Sequence, residues 1–301
     1  MFCKRIAMFA AAILAALISD WTDDADDASG ESFTPNLPAG ARVLRDLAYG
    51  SDAKQRFDVY VPAQVQAQTG RAPVIFMVHG GGWARGDKTM RNVVENKIKY
   101  WLPRGYIFIS VNNRLVPAAD PLEQARDVAR ALARAQRDAA QWGGDARKFI
   151  LMGHSAGAHL IALLSVSPTL AADAGAQPWL GSVLLDSGAL DVPQTLRTRR
   201  LPLYRRAFGD DPALWKAASP LDAMTRKTPP ILAVCSSRRR VSCPEADAFV
   251  AKAASFGTRA SVLREDMSHA EINAQLGDPG AYTDAVEAFL RSLGLTSPPI
   301  R

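Results

Sequence analysis

The sequence predicts an α/β fold in which a mostly parallel sheet is covered by helices on both faces. Apolar runs such as APVIFMVHG at 72–80 are continuous and end in glycine, as buried parallel strands do. Helix-like segments of ten or more residues separate successive runs, which is typical of parallel strands joined by crossover helices. Residues 187–229, rich in proline and arginine, break this alternation and are expected to form a small cap region.

The elements follow one another without an internal repeat, which favours a single domain over 40–296. Strands are predicted at 56–62, 72–80, 106–113, 148–153, 181–186, 230–236 and 259–265. Helices are predicted at 88–103, 120–144, 156–166, 244–256 and 279–293. The second helix has the clearest boundaries, because Asp120 is a candidate N-cap, Pro121 suits the first turn and Gly143 is a stop signal.

Composition is that of an ordinary globular protein, with 48% hydrophobic and 22% charged residues in a chain of 301. The net charge of +6 raises the question of a nucleic-acid partner. However, the basic clusters at 197–200, 205–206 and 238–240 are short, and stacking aromatic residues do not alternate with them. We therefore interpret them as solvated surface and expect no nucleic-acid partner.

Residues 1–30 resemble a secretory leader followed by an acidic linker. Lys4 and Arg5 precede the apolar run IAMFAAAILAALI at 6–18, which is shorter than the ~20 residues that a membrane span needs. A periplasmic or secreted protein is the expectation. The alternative is an uncleaved anchor, which would confine any membrane contact to this leader.

Two cysteines, Cys235 and Cys243, flank three consecutive arginines in CSSRRRVSC. In an oxidising compartment such an isolated pair predicts a disulfide. The alternative is one buried thiol after a strand and one exposed thiol in a loop.

The motif GHSAG at 153–157 lies between a predicted strand and a predicted helix. In this pattern the serine occupies a strained strand-to-helix turn, and small neighbours let the backbones pass close to each other. Ser155 is therefore the candidate nucleophile, and the Ala156 N–H is a candidate oxyanion donor. A purely structural turn is the alternative.

The motif HGGGW at 79–83 directly follows the strand predicted at 72–80. Consecutive glycines permit backbone conformations that other residues avoid, so that several N–H groups can point at one oxygen. Gly81 and Gly82 are therefore predicted to complete an oxyanion hole, with a merely flexible turn as the alternative.

The chain has four histidines, and His269 is the candidate general base. It follows the last predicted strand and comes after Ser155 in the chain order serine, acid, histidine. His79 belongs to the glycine loop, His154 adjoins Ser155, and His159 is expected to be a packed helix residue. A surface histidine is the alternative for His269.

With these motifs the chain resembles the α/β-hydrolase family, particularly small carboxylesterases of the hormone-sensitive-lipase and feruloyl-esterase-like type. The resemblance spans roughly 43–293 and includes YGSDAKQRFDVYVP, HGGGWARGDK, SVNNRL, GHSAGAHL, SGALDV and ASPLD. It implies an eight-stranded, mostly parallel sheet, a Ser–His–acid triad, small-molecule ester substrates, and no metal or organic cofactor. Some branches of the family act on amides such as formylkynurenine.

The triad acid is the point at which the sequence departs from that family. In the resembling esterases the acid follows the strand matched here by 230–236, but the loop at 238–241 carries no carboxylate. Asp186 is our first candidate, because it ends the preceding strand on the edge where the site assembles. Asp191 and Glu245 are the next candidates for the acid, and a Ser–His dyad without an acid is the remaining alternative.

The function predicted from the sequence is therefore that of a carboxylesterase-type serine hydrolase, working through an acyl-enzyme on Ser155. One alternative is an arylformamidase or other amidase of the same fold. Another is a weakened hydrolase scaffold that acts as a binding protein, an option that the missing acid keeps open.

Overall fold

The computed structural model of the chain describes residues 33–65, 71–198 and 201–295. The predicted leader and linker at 1–30 lie outside the described residues. No helix within the described ranges is long and apolar enough to cross a membrane.

Eight strands form one sheet in the order β1-β2-β4-β3-β5-β6-β7-β8. They are β1 (Arg42–Ala48), β2 (Arg56–Val61), β3 (Ala72–Val78), β4 (Ile107–Val111), β5 (Gly144–His154), β6 (Gly181–Leu185), β7 (Ile231–Ser236) and β8 (Ala260–Glu265). β2 pairs antiparallel with β1 and β4, and the strands from β4 to β8 are parallel to one another. The predicted eight-stranded, mostly parallel sheet is confirmed.

Four of the five longer helices connect parallel strands as crossovers, and the fifth follows the last strand. They are α1 (Arg91–Trp101), α2 (Pro121–Asp138), α3 (Ala156–Val166), α9 (Ser242–Ser255) and α11 (Ala281–Ser292). Shorter helices are α4 (Pro168–Asp173), α5 (Val192–Thr198), α6 (Pro202–Phe208), α7 (Pro212–Ala217), α8 (Pro220–Ala223) and α10 (His269–Ala274). A single 3₁₀ turn, Ala139–Trp142, follows α2 and ends at Gly143, whose φ of 88° is left-handed.

The core lies on both faces of the sheet, because successive side chains of a strand point to opposite sides. In β3, Val74 and Phe76 pack into the cluster that includes α2 and α3. Ile75 and Met77 pack into the cluster that includes α1 and α11. All four side chains are fully buried, which explains why the central strands appear in the sequence as continuous apolar runs.

The predicted start of α2 and the stop at Gly143 are confirmed, but the α-helix itself ends at Asp138 and the 3₁₀ turn fills the rest of the predicted range. The Asp120 carboxylate accepts hydrogen bonds from the backbone N–H groups of Leu122 and Glu123, as an N-cap does. Two kinds of element were missed. β1 was not predicted, because as an edge strand it is largely exposed and lacks a buried apolar run. The short helices of 192–223 have four to seven residues, too few for a visible 3.6-residue period.

A fully buried lysine connects α1 to α10. The Lys97 ammonium donates to the backbone oxygen of Asn92 at 2.8 Å and to the backbone oxygen and Oδ1 of Asn273 at 2.6 and 3.0 Å. Burial lowers the pKa of Lys97 to about 7, against a smaller opposing effect of Asp278. Because α10 begins at His269, this contact also fixes the helix that carries the candidate base.

The depressed pKa of Lys97 predicts a pH-dependent stability. Between about pH 7 and the ordinary lysine value of 10.5, the unfolded chain binds a proton that the folded chain binds more weakly. The free energy of unfolding should therefore rise with pH in this window, by up to about 1.4 kcal/mol per unit from this group. Denaturant unfolding of the wild type and of Lys97→Met across the window measures the effect.

Lys97→Met should remove this rise of the free energy of unfolding with pH. Lys99→Met, on the exposed side of the same helix, should retain it. Equal slopes for the wild type and Lys97→Met would contradict the assignment.

Candidate active site

Ser155 lies at the junction of β5 and α3 in a strained backbone conformation. Its φ of 53° and ψ of −116° are rare for a residue with a side chain. The junction is tight, since a Cβ on Gly153 would lie 2.4 Å from the Gly157 oxygen, and one on Gly157 would lie 2.3 Å from the Val78 oxygen. Both glycines of GHSAG are therefore required for the turn that presents Ser155.

The glycine loop after β3 lies directly against this turn. A Cβ on Gly80 would come within 3.1 Å of the Ser155 Cβ, so the two backbones are in contact. Gly81 and Gly82 have φ values of 110° and 59°, which glycine adopts without strain. The predicted oxyanion donors therefore belong to two segments that meet at Ser155.

Trp83 anchors the glycine loop to α3. Its indole N–H donates to His159 Nδ1 at 3.1 Å, and His159 Nε2 lies 2.7 Å from the Ala218 oxygen. Burial lowers the pKa of His159 to about 4, so the ring is neutral and can accept from the indole. The prediction that His159 is a packed helix residue is confirmed, and its partners assign it the task of holding this loop.

His269 is the first residue of α10 and is buried. Ser268 before it forms a capping box with Glu271, in which the serine hydroxyl accepts from the Glu271 N–H and the glutamate accepts from the Ser268 N–H. The His154 ring lies 4.5 Å from the His269 ring, and His154 Nε2 lies 3.0 Å from the His269 oxygen. This support from His154 was missed, because the sequence suggested only that its side chain diverges from that of Ser155.

Asp186 follows β6 and lies beside His269. Its φ is 51°, its side chain has no solvent exposure, and its Oδ2 lies 2.5 Å from His269 Nδ1. The other oxygen, Oδ1, accepts from the Ser236 N–H at 2.9 Å and from the Ser242 hydroxyl. The structure thus brings the first candidate acid into contact with the candidate base.

The other two candidate acids have different partners. Asp191 accepts from the Gln194 N–H at 2.9 Å at the start of α5. Glu245 lies 3.3 Å from both the Leu190 N–H and the Thr195 hydroxyl. Neither has a described contact with His269.

The arginine loop lies beside the site, and the interpretation of 238–240 as solvated surface is wrong for Arg239, whose side chain is only 10% exposed. Arg239 Nη1 lies 2.5 Å from Asp186 Oδ2, while Arg238 pairs on the surface with Asp266 and Glu271. Burial alone would raise the pKa of Asp186, but the Arg239 charge and the hydrogen bonds from His269 and Ser242 lower it well below its ordinary value. Asp186 is therefore ionised, and its charge is compensated inside the fold.

A disulfide between Cys235 and Cys243 closes this loop, as the sequence predicted. Ser236, Arg239 and Ser242, which all contact Asp186, lie between the two cysteines. The cross-linked loop therefore supplies three of the four groups around the carboxylate, and His269 supplies the fourth.

A small cavity of about 20 Å³ joins these groups, close to the volume that one water molecule needs. It is lined by Gly82, Trp83, Arg85, Ser155, Ala156, Gly188, Leu203, Tyr204, Arg239 and His269. The lining thus combines the serine, the histidine and two oxyanion candidates. Leu203 and Tyr204 of α6 close it from the side of the predicted cap.

Two solved structures with this architecture are esterases. Esterase B from Lactobacillus rhamnosis superposes with a TM-score of 0.69 over 96% of this chain and 94% of its own, at 19% sequence identity. The chain is an α/β-hydrolase by fold. Esterase 2 of Thermogutta terrifontis also has a TM-score of 0.69, at 22% identity over 86% of this chain and 95% of its own.

Part of the chain is also similar in sequence to a known family. The BD-FAE family matches residues 57–178. This range contains the glycine loop and Ser155, and it ends before Asp186 and His269.

Among curated relatives, esterase LipC of Mycobacterium tuberculosis is 27% identical over 208 residues, which is 64% of this chain and 50% of LipC. The chain thus spans about half the length of this relative.

The contacts of the cross-linked loop predict a measurable stability effect. Replacing both Cys235 and Cys243 by alanine should lower the free energy of unfolding by about 2–3 kcal/mol, because the unfolded chain gains loop entropy. Hydrogen exchange at the Ser236 amide, which donates to Asp186, should accelerate.

Denaturant unfolding and amide exchange of the wild type and the double variant measure these effects, and reductant should reproduce them in the wild type only. Unchanged exchange at Ser236 would show that the disulfide does not hold the loop on Asp186.

Proposed function

We propose that the chain is a serine hydrolase that cleaves carboxylic esters through an acyl-enzyme on Ser155. The observation that carries this proposal is the buried contact of Asp186 with His269, in a cavity that Ser155 also lines. A strained serine, a neighbouring imidazole and a carboxylate on the far ring nitrogen are the parts that nucleophilic acyl transfer needs.

In the proposed mechanism His269 Nδ1–H donates to Asp186, which leaves Nε2 unprotonated. Nε2 takes the proton of the Ser155 hydroxyl as the oxygen attacks the ester carbonyl. The N–H groups of Gly81, Gly82 and Ala156 stabilise the oxyanion that forms. His269 then gives the proton to the leaving alcohol, and water releases the acid by the same steps.

The names of similar proteins support the same chemistry. LipC is an esterase, and so are both structural neighbours. The proposed substrate is a small-molecule ester. The small cavity between Trp83, Leu203 and Tyr204 favours a small acyl group.

We also propose that 40–296 act as one domain with 187–229 as its cap. The contribution of Leu203 and Tyr204 to the cavity supports the cap, because both belong to this segment. A periplasmic or secreted location is consistent with the disulfide between Cys235 and Cys243, since such bonds persist in oxidising compartments.

Two other functions make different predictions. An arylformamidase or other amidase would use the same groups and would hydrolyse amides faster than matched esters. A binding scaffold would react with neither. The buried Asp186 carboxylate, with a lowered pKa and in contact with His269, argues against a scaffold, since such perturbed groups cluster at catalytic sites.

The role of Ser155 predicts the largest loss of activity. Ser155→Ala should lower kcat for p-nitrophenyl esters by many decades while leaving the unfolding transition unchanged, because the hydroxyl is the attacking group. A phosphonate of the kind that inhibits Esterase B should label the wild type at Ser155 and leave the variant unlabelled.

Activity of Ser155→Ala within about tenfold of the wild type would contradict the proposal. Faster cleavage of matched amides would select the amidase instead. A wild type that neither labels nor hydrolyses esters or amides would select the binding scaffold.

The role of Asp186 is tested by comparing the three candidate acids. Asp186→Asn should lower kcat by about 10⁴-fold, because an amide at this position no longer favours the Nδ1–H tautomer of His269. Asp191→Asn and Glu245→Gln are matched controls and should keep activity within about tenfold. If Asp186→Asn is nearly fully active while the kcat of a control variant falls by several decades, the acid is wrongly assigned. If none of the three substitutions lowers kcat, the enzyme works as a Ser–His dyad.

A further inference from the structure

Arg239 occupies an unusual position for a cation in a Ser–His–acid site. Its Nη1 lies 2.5 Å from Asp186 Oδ2 and 3.0 Å from His269 Nδ1, and Oδ2 is also the oxygen that contacts Nδ1. The Arg239 side chain is only 10% exposed. A fixed positive charge is thus buried against both the acid and the base.

This arginine is not needed to hold the carboxylate in place. Oδ1 of Asp186 is already fixed by the Ser236 N–H and the Ser242 hydroxyl, and neither hydrogen bond involves Arg239. Arg239 instead contacts Oδ2, the oxygen whose charge stabilises an imidazolium. A guanidinium only donates and cannot lose its proton, so its charge stays at this position at every working pH.

Among the residues that the structure describes, the other ionisable groups around His269 do not duplicate this charge. Burial and the neighbouring His269 keep the pKa of His154 well below its ordinary value, so the closest ring is neutral. Glu271 and Asp266 are both engaged by Arg238. Lys97 contacts Asn273 further along α10, Glu265 ends β8, and Arg85 is exposed at the cavity.

We propose that Arg239 is a positioning residue that sets the operating pH of the triad by opposing a second positive charge on His269. The proposal rests on the proposed function, in which neutral His269 is the base. Arg239 offsets part of the Asp186 charge that would attract a protonated ring, and its own charge lies 3.0 Å from His269 Nδ1. The enzyme thereby retains activity further into the acidic range than Asp186 alone would allow.

The test is the pH profile of kcat/KM for a p-nitrophenyl ester, measured for the wild type and Arg239→Gln. Without the cation, the acidic limb should move to higher pH by about 1–2 units, the size expected for a nearby charge partly screened by solvent. The plateau kcat should stay within about tenfold, because Ser236 and Ser242 still hold Asp186. Arg239→Lys keeps the charge at a greater distance, so its limb should move in the same direction by less.

Arg240→Gln is the matched control, because it removes the same charge from the adjacent, exposed residue. Its acidic limb should stay within about 0.2 units of the wild type. An unmoved limb in both Arg239 variants, or an equal shift in Arg240→Gln, would overturn the proposal. A wild type that hydrolyses no ester would instead refute the proposed function, so the two failures are distinguishable.

Discussion

The carboxylate of Asp186 is buried without solvent contact, and the arrangement of the site depends on how its charge is satisfied. An isolated buried carboxylate would take up a proton, and a protonated acid could not support an imidazolium. The chain avoids this with four donors: the Ser236 N–H, the Ser242 hydroxyl, Arg239 and His269. Three of them belong to one short loop that a disulfide closes.

Sheet geometry explains how a candidate acid that follows β6 can reach the candidate base. The carboxyl ends of parallel strands meet at one edge, about 4.8 Å apart from strand to strand. β7 separates β6 from β8, after which His269 follows. The backbone of Asp186 has a positive φ. Its Oδ1 accepts from the N–H of Ser236, the last residue of β7, while its Oδ2 contacts His269 beyond β8. The loop after β7, which carries the acid in the resembling esterases, here carries donors to an acid from the neighbouring strand.

The sequence predicted those features of the site that depend on local backbone chemistry. GHSAG and HGGGW signal turns that only small residues permit, and the structure brings both against Ser155. The strands and long helices were predicted because burial on one or two faces leaves a periodic apolar pattern. The sequences of β1 and α5–α8 show no such pattern, since an exposed edge strand and helices of one or two turns contain too few buried residues.

Contacts between distant segments could not be predicted in the same way. Asp186 was selected over Asp191 and Glu245 only from its place at a strand end, and its distance to His269 depends on the register of three strands. Arg239 and its neighbours Arg238 and Arg240 are identical in the sequence. Only the path of the loop decides that Arg239 turns inward to Asp186 while Arg238 meets surface carboxylates.

That path follows from the covalent closure of the loop. With Cys235 at the end of β7 and Cys243 in the first turn of α9, the residues between them must turn back over the edge of the sheet. Arg239, in the middle of this segment, contacts Asp186 at the end of the neighbouring strand. The buried arginine requires that partner, since its charge alone would be desolvated without compensation, whereas Asp186 also has Ser236, Ser242 and His269 as partners. The cysteines and the central arginine of CSSRRRVSC therefore form one structural unit with an aspartate 49 positions before the first cysteine.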